Sequence, residues 1–180
     1  MVGFTDQLSQ SLDELDQRID AEDASGETLV AVLERYLREV EKAADRDIQT
    51  SILLLDSDRK HLVHGAAPSL PSEYCESIHG LRIGPCAGSC GTAAYMGHSI
   101  FVTDIGSDPL WNDYRHLALP HDLRACWSTP IRSDEDKVIG TFAVYHSTAR
   151  APTEDEILAV KAISGHVARA IATFSETRAV

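Results

Sequence analysis

Two cysteines and three glycines crowd one short stretch of the chain, Ile83-Gly84-Pro85-Cys86-Ala87-Gly88-Ser89-Cys90-Gly91-Thr92-Ala93-Ala94. Thiols can act as nucleophiles, as a redox pair or as ligands for a soft metal. The glycines permit backbone conformations that other residues resist, and Pro85 biases Gly84 away from the right-handed helical region. From about Cys90 or Gly91 the run Thr-Ala-Ala-Tyr-Met suits a short helix, with Gly97 as its stop. The predicted object is a glycine-rich loop feeding a helix N-terminus. Such a terminus offers unpaired N–H groups and a partial positive charge to an anion, a carbonyl oxygen or a thiolate. Cys90, at that terminus, is the thiol expected to be reactive. The competing readings are a tight turn that needs glycine for packing alone, and a small cysteine buried under the loop.

The rest of the chain must hold this loop. It has 180 residues, 43% of them hydrophobic, enough for one domain with a sizeable core. The net charge of −12 and the lack of any Lys/Arg cluster disfavour nucleic acid and anionic membrane as partners. No stretch reads as long and apolar enough to span a membrane, and the first residues lack the pattern of a signal peptide. A cytoplasmic location is expected, in which the four cysteines would be free, metal-bound or redox-active.

Residues 4–20 read as an amphipathic helix, with Phe4, Leu8, Leu12, Leu15 and Ile19 in one stripe that packs on the domain or on a second subunit. Residues 21–26 break the pattern, so the chain divides into a helix over 1–26 and a domain over 27–180. Ser25 is the expected N-cap of a second helix bearing Leu29, Leu33, Tyr36, Leu37 and Val40. Strands are predicted over 48–56, 60–67, 99–105, 123–132 and 138–146, the last apolar enough to be central. A helical turn is expected at 73–78, and a long polar and aromatic excursion over 107–122. Thr153 and Glu156 have capping-box spacing at the start of a final helix reaching about Phe174. The fold class is α+β: an antiparallel sheet with terminal helices on one face and a loop-covered pocket on the other.

Several ordered motifs carry a resemblance. Cys90-Gly91-Thr92-Ala93, Val102-Thr103-Asp104-Ile105, Asp108-Pro109-Leu110-Trp111, Leu123 to Ile131 and Ile139-Gly140-Thr141-Phe142 resemble a GAF domain, of the branch attached to bacterial sensor kinases and cyclic-di-GMP enzymes. The resemblance covers roughly residues 27–175. It implies six strands where the residues alone indicate five, a ligand pocket on one face, and a homodimer joined through terminal helices. It does not name a ligand, because GAF domains hold cyclic nucleotides, bilins, haem, nitrate, amino acids or metals.

The family fold would bring the helix start at Cys90 near the strand of Cys126. That makes the two a redox-sensitive pair or part of a thiolate metal site, with Cys86 as a third member. Cys86 and Cys90 lack Cys-x-x-Cys spacing, and Cys75 is the least motivated thiol. His121 lies near where haem-binding relatives carry their proximal histidine, and is a candidate metal or haem ligand. Bilin attachment is disfavoured because Trp127, not histidine, follows Cys126. Thr92, Asp104, Trp111, Tyr114, Arg124 and Ser128 are candidate pocket residues, with Arg124 offering a fork to a carboxylate or phosphate. If Cys126 faces the pocket, Ser128 and Arg124 share its face and Trp127 takes the other.

Three functions compete. The first is a sensory module that takes a small molecule, metal or oxidant and passes the signal to a downstream protein through a helical dimer. The second is an enzyme similar to free methionine-(R)-sulfoxide reductases, which share the Cys-Gly-Thr-Ala setting but place their other cysteines differently. The third is a dimerisation module with a vestigial pocket.

Overall fold

The computed structural model describes residues 4–22, 27–44 and 48–177. Within these residues, six helices are α1 (Phe4–Glu22), α2 (Leu29–Ala43), α3 (Ser72–Ile78), α4 (Gly88–Met96), α5 (Arg115–Ala118) and α6 (Glu154–Thr177). Six strands are β1 (Ile48–Leu55), β2 (His61–Ala66), β3 (Leu81–Arg82), β4 (Ile100–Val102), β5 (Ala125–Arg132) and β6 (Val138–His146). They form one sheet in the order β3-β2-β1-β6-β5-β4 with every neighbouring pair antiparallel.

The predicted α+β sandwich holds. β6 is central, paired to β1 on one side and to β5 on the other. The sixth strand is β3, two residues long, which is too short to show alternation in a sequence. Gly140 lets β6 lie close against β1: a Cβ there would stand 2.4 Å from the Leu53 carbonyl oxygen. Alternation sorts the strands into two cores. Ile52, Trp127, Ile131, Phe142 and Val144 face the helical layer, and Leu53, Val102, Cys126, Ala143 and Tyr145 face the other side.

The helical layer is α1, α2 and α6. The stripe of α1 is buried on its own chain, through Leu8, Leu12 and Leu15; the placement of the Phe4 side chain lies outside the described residues. α2 buries Val32, Leu33, Tyr36, Leu37 and Val40. Its cap is Thr28, whose Oγ1 accepts from Ala31 N at 3.2 Å, whereas the expected cap Ser25 lies outside the described residues. α6 starts as read: Glu156 N donates to Thr153 Oγ1 at 3.3 Å and Thr153 N to Glu156 Oε2 at 2.8 Å.

By length and composition α6 could cross a membrane, its span Glu154–Ser175 having a mean hydropathy of 1.3, contrary to the sequence reading. Ala159, Val160, Ile163, Val167 and Ala170 of this helix are buried in the core. The three helices are tied by Asp16, only 5% exposed, which accepts from Tyr36 on α2 and pairs with His166 Nδ1 (2.7 Å) and Arg169 on α6.

Candidate functional site

α4 begins earlier than read, at Gly88, and ends at Gly97 as expected. Gly88 has φ +61°, which a side chain would strain, so glycine is required where the loop turns into the helix. Ala87 provides no side-chain cap, and Ser89, Cys90 and Gly91 form the first turn. That places Cys90 where the helix dipole favours a thiolate. Thr92 turns back and accepts Ala87 N at 3.0 Å, tightening the turn from within.

The excursion over 107–122 folds over this turn through two 3-10 turns, Pro109–Trp111 and Leu119–His121, with α5 between them. Arg115 organises it. Its guanidinium group donates to the carbonyls of Gly106, Asp108 and Trp111 and to Asn112 Oδ1, so polar backbone inside the loop is satisfied without water. Trp111 is thereby laid over Gly88, and its Nε1 donates to Ser89 Oγ at 3.1 Å.

Under the loop is a cavity of about 30 Å3. Apolar Leu53, Leu62, Ile78 and Leu81 line it beside Trp111, Tyr114, Tyr74, Tyr145 and the first turn of α4. This volume holds about two water molecules.

Cys90 stands on the cavity wall, 8% exposed, and Cys126 lies behind it, fully buried. The Cys126 thiol and the Ser128, Thr141 and Tyr145 hydroxyls are the nearby polar groups that favour a thiolate at Cys90. Tyr145 Oη is 4.0 Å from Cys90 Sγ. Ser128 Oγ and Thr141 Oγ1 are buried and have no hydrogen-bond partner among the described residues. Led by Cys126, these donors outweigh burial and pull the Cys90 thiol down to about 7. Cys126 moves the other way: burial, then the neighbouring Cys90, push its thiol well above the ordinary value. Burial likewise raises Tyr74 and Tyr145, so both remain neutral donors.

The predicted residues separate into two groups. Cys90, Trp111 and Tyr114 line the cavity, Cys126 and Ser128 lie beneath it, and Thr92 shapes the turn. Trp127 faces the helical layer, as alternation requires once Cys126 faces the pocket. The others lie elsewhere. Cys86 is exposed on the loop ahead of α4. The Asp104 carboxylate closes a turn by accepting Gly106 N and Ser107 Oγ, which hold it below the usual carboxylate range. Arg124 precedes β5 rather than lying within it, and pairs with Asp122 at 3.1 Å. His121 packs edge-on to Tyr74, with ring centroids 6.0 Å apart, outside the cavity lining.

The four proposed metal ligands Cys86, Cys90, Cys126 and His121 therefore do not converge. Among the described residues, the group of three that could meet on one ion is Asp13, Asp16 and His166, where Asp16 is already paired with Arg169. The sequence reading missed Tyr74, Tyr145, Thr141 and Ser89. For Tyr145 and Thr141 a signal existed, since they alternate along β6 on the face that Cys126 shares through β5.

The chain belongs to the GAF domain family, whose model matches residues 26–172. A curated relative, the methyl sulfide methyltransferase-associated sensor of Methanosarcina acetivorans, is 34% identical over 137 residues. That alignment covers 76% of this chain but only 13% of the relative. The fold is similar to a domain of a putative two-component sensor histidine kinase from Sinorhizobium meliloti (TM-score 0.69, 19% identity, 86% of this chain and 97% of that one). It is equally similar to free methionine-R-sulfoxide reductase from Neisseria meningitidis (TM-score 0.69, 18% identity, 94% and 93%).

Proposed function

We propose that the chain is a sensory GAF domain whose detector is the Cys90–Cys126 pair and whose signal is a small oxidant. The observation that carries this reading is the placing of two buried cysteines on the pocket side of the fold, Cys90 on the cavity wall with Tyr145 Oη 4.0 Å from its sulfur and Cys126 fully buried. A cavity of about 30 Å3 is of a size for a small oxidant such as a peroxide. The sensor-named relative supports the sensory role.

The chemistry balances as follows. The Cys90 thiolate attacks one oxygen of a hydroperoxide; an S–O bond forms, the O–O bond breaks, and the leaving oxyanion takes a proton. The Cys126 sulfur then attacks the resulting sulfenic acid, the S–S bond forms, and hydroxide leaves with the Cys126 proton as water. Two electrons pass from the thiol pair to the peroxide.

The signal has a route to the terminal helices. Trp127, next to Cys126 but on the opposite face, donates Nε1 to the Arg150 carbonyl at 3.2 Å. The Arg150 guanidinium holds Glu156 by two bonds of 2.9 Å at the start of α6. α6 leaves Leu158 55% exposed, and no atom lies within 4 Å of where a Cβ on Gly165 would be. This face would join two copies in a homodimer, with a downstream signalling protein as the receiver. Four free thiols suit a cytoplasmic setting.

The test is peptide mapping after hydrogen peroxide. A Cys90–Cys126 disulfide is expected, and Cys126→Ala should stop at a sulfenic acid on Cys90 that a dimedone probe captures. Oxidation confined to Cys75 and Cys86 would refute the reading. Turnover of free methionine sulfoxide that Cys90→Ser abolishes would replace it with the reductase.

A further inference from the structure

When the Cys90 thiolate takes one oxygen of a peroxide, the other departs as a strong base and needs a proton. Among the described residues, the cavity lining holds no carboxylate, imidazole or amine to supply it. The N–H groups in the first turn of α4 can steady negative charge but do not surrender a proton. The protein's own candidates are the lining hydroxyls of Ser89, Tyr74, Tyr114 and Tyr145.

Their surroundings distinguish them. Ser89 Oγ donates to the Cys126 carbonyl at 2.9 Å. Tyr74 Oη donates to Tyr145 Oη at 3.4 Å. Tyr114 belongs to the covering loop, between the Pro109–Trp111 turn and α5. Tyr145 stands on β6, directly across the ladder from Cys126, and its Oη flanks Cys90 Sγ at 4.0 Å. Because it accepts from Tyr74, Tyr145 keeps its own hydrogen for the cavity. The side chain is 1% exposed, and its ring meets that of Tyr74 edge-on with centroids 5.7 Å apart, so the hydroxyl is held in place before any peroxide arrives. Burial raises this phenol, which therefore still carries its proton where Cys90 is already a thiolate.

We propose, resting on the oxidant reading of Cys90, that Tyr145 is the proton donor of this site and that the substrate is a small hydroperoxide. The Cys90 thiolate attacks the near oxygen, and the S–O bond forms as the O–O bond breaks. The Tyr145 proton passes to the departing oxygen, which leaves as water or an alcohol. Two electrons move from the sulfur to the peroxide. The Tyr145 phenolate then takes a proton back from water before Cys126 attacks the sulfenic acid. Departing hydroxide and alkoxide are strong bases and gain most from a positioned acid, whereas a peracid releases a carboxylate and needs none.

The test compares hydrogen peroxide, peracetic acid and iodoacetamide on the full chain at neutral pH, each followed as loss of the Cys90 thiol by peptide mass mapping. Iodide leaves without a proton, so iodoacetamide measures the supply of thiolate alone and corrects for any shift of the Cys90 thiol in a variant. In Tyr145→Phe the peroxide rate divided by the iodoacetamide rate should fall about tenfold or more, while the same ratio for peracetic acid holds within about twofold. A smaller fall, a peracetic acid ratio that falls as far, or a fall found in Tyr114→Phe instead would each overturn the inference and leave the oxidant reading standing. A wild-type Cys90 that peroxide does not oxidise would remove both. Should Tyr145→Phe fail to fold, the wild-type chain in deuterium oxide decides: peroxide should slow relative to iodoacetamide and peracetic acid should not, and equal behaviour of the two oxidants overturns the inference.

Discussion

The indole nitrogen of Trp111 donates to the hydroxyl of Ser89 at 3.1 Å, and Ser89 in turn donates to the backbone carbonyl of Cys126 at 2.9 Å. The covering loop, the first turn of α4 and the β5 strand are thus latched by one buried hydroxyl that serves as acceptor and donor at once. Trp111→Phe keeps the ring over Gly88 but removes the donor. It should cost about 1 kcal/mol in chemical denaturation and speed modification of Cys90, because the loop opens more often. An unchanged modification rate would show that the loop does not gate the thiol.

The Cys90 thiol, held at about 7, makes its chemistry pH-dependent. Only the thiolate reacts, so iodoacetamide labelling of Cys90 should be slow below that value, climb through it and level off above. Cys126→Ala removes the first of the donors, and the midpoint should then move upward toward an ordinary thiol near 8.5. Cys126 shifts the opposite way and should stay unlabelled across the same range. A midpoint that does not move in Cys126→Ala would separate the two sulfurs.

Asp16 joins α1, α2 and α6 through Tyr36, His166 and Arg169. Asp16→Ala would leave these partners facing a buried gap. Arg169 is half exposed and can turn to water, which limits the loss. A destabilisation of about 2–3 kcal/mol is expected from urea unfolding. A loss below 0.5 kcal/mol would mean that the helices are held by their apolar stripes alone.

Two glycines should behave oppositely. Gly140→Ala places a Cβ against the Leu53 carbonyl in the centre of the sheet and should cost more than about 2 kcal/mol. Gly165→Ala meets nothing within 4 Å in one chain and should gain up to about 1 kcal/mol from helix propensity. Gly165→Trp should leave the unfolding of a monomer unaffected and weaken a dimer formed through α6. Analytical ultracentrifugation of the two variants separates these effects, and a dimer indifferent to Gly165→Trp would remove α6 as its interface.

Much was legible in the chain itself. The stripes of α1, α2 and α6, the Thr153–Glu156 cap, the central position of β6 and the glycine-rich entry to α4 all follow from local pattern, because side-chain period and capping act over a few residues. Cys90 at the start of a helix was readable for the same reason. β3 was not, since two paired residues have no period. Cys86, Asp104, Arg124 and His121 were placed in the site on residue type, and the backbone turns the first outward and engages the others in turns, a surface ion pair and an edge-on ring contact.

What only the tertiary structure decided is the company of Cys90. Ser128 and Cys126 on β5, and Thr141 and Tyr145 on β6, lie far along the chain from Cys90 and come to its side of the sheet only when antiparallel pairing stacks their strands beneath α4. The same pairing, with its alternation of faces, sends Cys126 to one side of the sheet and Trp127 to the other. Local sequence determined which residue types stood at each position. Long-range strand register determined which of them stand together.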